Sequence, residues 1–166
     1  QRKEAKVEVF YTGSKKGFGL RAVERIEEGA FIIEYMGEVM SEDQSKARKR
    51  RYARNPKKYS HNYMMAVDDS SKNTFIIDAT LRGNSARFAN HSCDPNAFCD
   101  KWSVKGKFRM GLYAKRTIFA SEEITFDYRF KNDGDKKQEC CCGTALCRKY
   151  LSTTREVKML KELMAR

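Results

Sequence analysis

Apolar and polar residues alternate by twos along much of this chain, and glycines cut the alternation into short runs. Val7-Glu8-Val9-Phe10-Tyr11, Leu20-Arg21-Ala22-Val23 and Phe31-Ile32-Ile33-Glu34-Tyr35 each read as a strand. Turns fall between them, over residues 13–19 and at Glu27-Glu28-Gly29. Strands are predicted again over 63–67 and 74–79, around the polar turn Asp68-Asp69-Ser70-Ser71. Residues 98–104 and 109–114 read as a hairpin about Lys105-Gly106-Lys107, and 124–128 as one more short strand. Residues 82–97 are small, polar and rich in Asn, and read as irregular.

Helical periodicity is scarce. Ser41-Glu42-Asp43-Gln44 has capping-box spacing, so a helix is predicted to start there and fade before Asn55-Pro56. Its apolar face, Ala47, Tyr52 and Ala53, is thin, which places it on the surface with its basic residues outward. A second capping box, Thr153-x-x-Glu156, precedes Val157, Leu160, Leu163 and Met164 on one helical face. There is no internal repeat. The pattern is that of a β-rich (α+β) domain with small helical additions.

Composition narrows the class. A chain of 166 residues, 40% hydrophobic and 11% aromatic, suits one packed domain. No apolar run approaches a membrane span, and Gln1-Arg2-Lys3-Glu4 has no signal-peptide core and no initiator Met, so the chain reads as an excised segment. The net charge of +12 points to a polyanionic neighbour, nucleic acid first. It is concentrated: residues 46–58 (KARKRRYARNPKK) carry eight Lys or Arg and no acid.

Cys140, Cys141 and Cys142 are consecutive and Cys147 follows closely. Adjacent cysteines bridge one another poorly, whereas close spacing suits metal ligation in a reducing compartment. A zinc-ribbon reader of DNA competes with this account, but it needs two cysteine pairs.

Four segments in order resemble the SET domain. They are Lys16-Gly17-Phe18-Gly19-Leu20; Glu34-Tyr35-Met36-Gly37-Glu38; Gly83-Asn84 through Arg87-Phe88-Ala89-Asn90-His91-Ser92-Cys93-Asp94-Pro95-Asn96; and Thr125-Phe126-Asp127-Tyr128, followed by Cys140-x-Cys142-x4-Cys147. The resemblance implies the β-clip fold, small twisted sheets in which the Asn-His segment and the last strand pass in a knot-like arrangement. It divides the chain into a SET domain over 1–130, a zinc-bound post-SET segment over 131–151 and the C-terminal helix over 152–166. It also implies lysine methylation with S-adenosyl-L-methionine.

Roles follow residue by residue. The resemblance assigns the cofactor to Lys16, Gly17, Phe18, Gly19, Asn62, Tyr63, Arg87, Asn90, His91 and Tyr128. The family most often has Trp at Phe18, and its members carry an aromatic pair where this chain has Asn62-Tyr63. Lys16-Gly17-Phe18-Gly19 reads as a glycine turn whose amides approach the ligand. His91 is not read as a base, because no acid–base constellation accompanies it in the sequence. Tyr128 resembles the family's essential tyrosine, and Tyr35 a second hydroxyl at the substrate amine. Tyr63 lines the channel, and Phe126, which lacks a water-anchoring hydroxyl, implies di- or trimethylation. Cys93, Cys140, Cys142 and Cys147 match a structural zinc site; Cys141 points away and Cys99 has no partner spacing.

Lys101-Trp102-Ser103-Val104-Lys105-Gly106 and the stretch 125–130 look most like the histone H3 lysine-36 branch, while Cys147-Arg148-Lys149-Tyr150-Leu151 suits the lysine-4 branch equally. The implied partners are a histone tail and, through residues 46–58, nucleosomal DNA, in the nucleus on chromatin. A histone H3 lysine-4 enzyme, an enzyme for a non-histone lysine and an inactive chromatin-binding module are the other readings.

Overall fold

The computed structural model describes residues 3–59, 61, 63–68, 74–130 and 138–151. Asn62 and the helix expected over 152–166 lie outside the described residues, as do residues 131–137 of the post-SET segment. Three small sheets make the body. β1 (Val7–Gly13) and β2 (Gly17–Ala22) are antiparallel, with a bulge between Tyr11 and Gly13. β3 (Phe31–Glu34) pairs with β9 (Lys107–Ala114), which pairs with β8 (Ala97–Val104). β4 (Glu38–Ser41), β5 (Met64–Asp68) and β6 (Thr74–Asp78) form the third, in the order β4-β6-β5. The β8–β9 hairpin turns on Lys105 and Gly106, with φ of 50° and 75°. Positive φ at both positions matches the right-handed twist of the flanking strands.

Where alternation was regular, the strands fall within two or three residues of expectation. The longest inaccuracies have local causes. Gly17-Phe18-Gly19 is not a turn: the turn is Ser14–Lys16, and these residues open β2. β4 escaped the pattern because it offers only Val39 and Met40 between a loop and a helix cap; its pairing with β6 creates it. The stretch 82–97 is less irregular than it reads, holding a 3-10 turn at Ser85–Phe88 and the two-residue β7 (Asn90–His91). The last strand, β10 (Glu123–Phe126), stops short of Tyr128.

Helix α1 (Glu42–Ala53) starts on the expected capping box: Ser41 Oγ accepts from Gln44 N–H, and Gln44 Oε1 accepts from Ser41 N–H at 2.9 Å. Its inner face is not the expected one. Ala47 and Ala53 are exposed, and the buried residues are Ser45 and Tyr52, with Arg48 between them. Arg48 bonds Glu38 and lies 3.3 Å from Asp78 Oδ2, to which Tyr52 donates its hydroxyl at 2.8 Å. The helix is thus pinned through charge as much as through apolar area, and Lys49, Arg50 and Arg51 stay exposed.

Leu20, Ile32, Leu112, Ile118 and Ile124 are fully buried where the sheets meet. β10 sits centrally, antiparallel to β2 and parallel to β7, with Thr125 opposite Asn90 and Phe126 opposite His91. Asn96 locks this crossing. Its amide donates to Glu123 O at 2.8 Å, its Oδ1 accepts from Thr125 N–H at 2.9 Å, and its own carbonyl accepts from Lys115 N–H at 2.8 Å. A fully satisfied buried Asn of this kind fixes register, since either substituent left unpaired costs a desolvation penalty. Among the described residues no helix is long and apolar enough to cross a membrane.

Candidate functional site

Gly17, Phe18, Gly19, Asn90, His91 and Phe126 lie on β2, β7 and β10, which meet in one sheet. Gly17 adopts φ of 74°, open to a ligand, with nothing within 4 Å of a Cβ added there. Gly19 is glycine for a different reason: a Cβ would lie 2.6 Å from Thr12 Cγ2 and 2.9 Å from Glu123 Oε1, so it serves strand packing. Phe18 is 55% exposed, with its ring edge-on to Tyr11 and Phe88. Glu123 was not singled out in the sequence, yet its carboxylate accepts from Lys16 Nζ and from Asn90 Nδ2, both at 2.8 Å. Asn90 Nδ2 also donates to Phe18 O at 3.1 Å.

Arg87 lies on the same side. Its guanidinium stands 5.6 Å from the Tyr63 ring centroid and 4.9 Å from that of Phe88, and Nη1 donates to Ala79 O at 3.0 Å. Among the described residues no acceptor meets its buried Nε–H. A buried donor left unpaired is rare, and a water or a ligand oxygen at this place would satisfy it.

The tyrosines form the opposite wall. Tyr128 donates its hydroxyl to Ala89 O at 2.9 Å, and Tyr35 donates its own to Tyr63 O at 3.0 Å. Burial first, and neighbouring tyrosines next, push both phenols above their ordinary range. Each hydroxyl is therefore neutral, with its proton already committed and its oxygen lone pairs free to accept. Phe126 is buried, its ring 4.9 Å from that of Tyr128. A groove of about 580 Å3 borders Tyr35, floored by Phe75, Ile77 and Met110.

His91 departs from the sequence reading, since an acid does accompany it: Asp127 Oδ1 is 3.7 Å from Nδ1. Nδ1 nonetheless accepts the backbone N–H of Tyr128 at 3.2 Å, and Nε2 faces Cys93 Sγ at 3.4 Å. With Nδ1 accepting, the neutral ring carries its proton on Nε2 and directs it at sulfur. The side chain holds a strand and a thiol together.

Cys93, Cys140, Cys142 and Cys147 bring their sulfurs within 4.8 Å of one another. Two sulfurs on tetrahedral zinc bonds of about 2.3 Å stand about 3.8 Å apart, and Cys93 and Cys140 are separated by 3.7 Å. The donor set therefore fits a closed, structural zinc site. Donors already surround it: Arg148 N–H reaches Cys93 Sγ at 3.3 Å, Lys149 N–H reaches Cys147 Sγ at 3.4 Å, and the Thr144 hydroxyl stands 3.3 Å from Cys142 Sγ. Burial opposes the Cys142 thiolate, but the Thr144 hydroxyl and backbone amides outweigh it and bring that thiol down to about 6. Cys141 is exposed, as expected. Cys99 stands apart from the cluster, its thiol 3.8 Å from Met65 Sδ, and burial pushes that thiol up to about 12.

Residues 17–129 match the SET domain. The chain belongs to the SET-domain family. It is 46% identical over 160 residues to mouse "Histone-lysine N-methyltransferase SETD2", covering 96% of this chain and 6% of that protein. It is 48% identical over 136 residues to "Histone-lysine N-methyltransferase, H3 lysine-36 specific" of Debaryomyces hansenii, covering 82% and 18%. The protein of that name from Schizosaccharomyces pombe is 45% identical over 147 residues, covering 89% and 18%. The chain thus spans less than a fifth of the length of each of these relatives. Sequence reasoning in the SET-domain frame missed Glu123, Asp127, Arg148 and Ala89. For the two acids the available signal was position, each lying within the last strand or beside Tyr128.

Proposed function

We propose that the chain is the catalytic domain of a histone-lysine N-methyltransferase, transferring methyl groups from S-adenosyl-L-methionine to lysine 36 of histone H3. The observation that carries the chemistry is the pair of neutral hydroxyls at half-buried Tyr128 and buried Tyr35, each bonded through its proton to a backbone carbonyl. The target lysine rests on the names of the fungal relatives. On this reading Lys16, Gly17, Phe18, Gly19, Tyr63, Arg87, Asn90 and His91 hold the cofactor. Asn62 joins them by resemblance. The orphan Arg87 Nε–H suits an acceptor on such a ligand.

Bound there, the cofactor supplies an electrophilic methyl group for an in-line displacement. What the chain supplies is positioning. An amine attacks only when neutral, and a free lysine has a pKa of about 10.4. A channel walled by Tyr35, Tyr63, Phe126 and Tyr128 disfavours the ammonium form by desolvation. The Tyr128 and Tyr35 oxygens, acceptors only, orient the amine through its N–H bonds and leave the nitrogen lone pair toward the methyl. Burial holds the Tyr128 phenol above its ordinary range, so it stands at the amine as a hydroxyl and contributes by positioning. Phe126 leaves room for the amine to rotate after one transfer, so the product extends to dimethyl or trimethyl lysine. Cys93, Cys140, Cys142 and Cys147 would hold a zinc ion, which would tie residues 138–151 to the segment that carries Asn90 and His91. The exposed basic face of α1 lies against nucleosomal DNA, with the enzyme in the nucleus on chromatin.

Mass spectrometry of recombinant nucleosomes incubated with cofactor tests this. The expected product is methylation of H3 lysine 36 beyond one methyl group, shifted toward monomethyl by Phe126→Tyr. Methylation at H3 lysine 4 or only on non-histone protein would change the substrate. An enzyme that binds nucleosomes without transferring methyl groups would overturn the activity.

A further inference from the structure

One side chain that this reaction does not use joins the cysteine cluster to Tyr128. Arg148 follows Cys147, and its backbone N–H is bonded to Cys93 Sγ. Its guanidinium grips Asp127 at both ends, Nη1 to Oδ2 at 3.0 Å and Nη2 to Oδ1 at 2.8 Å. Nε donates to Tyr150 O at 3.0 Å and Nη2 also to Leu151 O at 2.7 Å. The Arg148 and Asp127 side chains are 9% and 10% exposed.

A bidentate guanidinium fixes a carboxylate in plane and distance, which a point charge does not. Asp127 is in turn covalently between Phe126 and Tyr128, and its Oδ1 accepts from Arg129 N–H at 3.0 Å. The backbone on either side of the pair is in the left-handed region, with φ of 49° at Arg129 and 68° at Lys149. Residues with side chains hold such conformations when their surroundings impose them. Cys93 is the shared node. Its sulfur receives Arg148 N–H, and it faces Nε2 of the His91 ring that accepts Tyr128 N–H.

We propose that Arg148 is a positioning residue, which through Asp127 holds Tyr128 in its working place and so conveys the filling of the cysteine cluster to the methyl-transfer site. The proposal rests on the methyltransferase reading above for its kinetic consequence, though not for its structural one.

The test compares zinc-loaded wild type, Arg148→Lys, Asp127→Asn and the double variant, each labelled with 13C on tyrosine rings. The Tyr128 signal is assigned by its loss in Tyr128→Phe. Arg148→Lys should keep about one zinc per chain and bind cofactor within about twofold of wild type. It should lower kcat roughly tenfold with substrate KM little changed, and it should shift the Tyr128 signal. Chelating zinc from wild type should shift that signal in the same direction. The double variant should be no worse than the worse single one. An unmoved Tyr128 signal, an unchanged kcat, or losses that add in the double variant would overturn the proposal. If Arg148→Lys fails to retain zinc, Asp127→Asn decides by the same readouts, since it leaves every thiol and its donors in place. A wild type that transfers no methyl group would sink the functional reading instead, and the Tyr128 signal, which needs no turnover, would still decide this inference.

Discussion

Two aspartates, each just at or beyond the end of a strand, bind an arginine from another segment. Asp78 ends β6 and draws in Arg48 of α1; Asp127 follows β10 and draws in Arg148. Asp78 is completely buried, accepting the Tyr52 hydroxyl at 2.8 Å and Thr80 N–H at 2.9 Å besides Arg48. Its geometry to arginine is single and long, 3.3 Å, because Arg48 is shared with Glu38. Asp127 has the tighter, two-pronged grip, and the next residue along the chain is Tyr128. The same pair of side chains therefore does two jobs. At Asp78 the pair ties down a helix whose outer face meets solvent, and at Asp127 it sets the position of a phenol. What separates them is the neighbour in sequence rather than the chemistry of the pair.

Removing the phenolic oxygen tests one side of this contrast at its end point. Tyr128→Phe leaves Asp127 and Arg148 untouched and should lower turnover about 100-fold or more, with cofactor binding largely kept. Near-normal methylation by that variant would take Tyr128 out of the mechanism and leave the Asp127 pair without a kinetic role.

The other pair should answer to stability instead. Asp78→Asn takes the charge from a buried acceptor of several donors and should cost about 2 kcal/mol of unfolding free energy, with kcat for those molecules that remain folded changed little. Its acid dependence follows from the bonds. Burial raises the Asp78 carboxyl, but the Thr80, Tyr52 and Arg48 donors outweigh it and hold it below its ordinary value. Stability from this source is present above about pH 4, the ordinary carboxylate range, and is lost as pH falls through the lower folded value. Denaturant titrations across that window should show an acid limb in wild type that is flatter in Asp78→Asn. A large fall in kcat at unchanged stability would erase the contrast.

The smallest effect is expected on the outer face that the Asp78 pair holds in place. Lys49, Arg50 and Arg51 are exposed, and reversing them to Glu should weaken nucleosome binding by about tenfold and flatten its dependence on salt. Methylation of a free peptide should stay close to wild type. Equal loss on both substrates would mean that α1 contributes to the peptide site or that the helix has lost its seat.

How legible all this was depends on what each element is made of. The β8–β9 hairpin was readable because alternation and Lys105-Gly106 both announce it. So was the start of α1, where a capping box is a local hydrogen-bond pattern. The seat of α1 was not readable. Arg48 looks like one more charge in a basic run, and only the fold brings Asp78, thirty residues later, beneath it. The cysteines were legible as a group because Cys140-x-Cys142-x4-Cys147 is a spacing signal, and Cys93 joined them through the resemblance. Asp127 and Arg148 were hidden for the same reason as Arg48. A charged residue read in isolation is taken for a solvated one, and a buried ion pair exists only between segments.

The crossing of β10 between β2 and β7 bears on how the protein is made. The strands that meet there begin at residues 17, 90 and 123, and the Arg148 contacts extend the assembly to Leu151. During synthesis the β4-β6-β5 sheet emerges with all its strand partners, whereas β2 leaves the ribosome with β1 but without β10. The pocket has no such early version. Nascent chains that end before Glu123 lack the carboxylate that joins Lys16 to Asn90, and those that end before Arg148 lack the clasp on Asp127. The site is therefore completed in two stages, β10 with Tyr128 first and the Arg148 clasp on Asp127 second, so a product cut between them carries the tyrosines without the contact that holds Asp127.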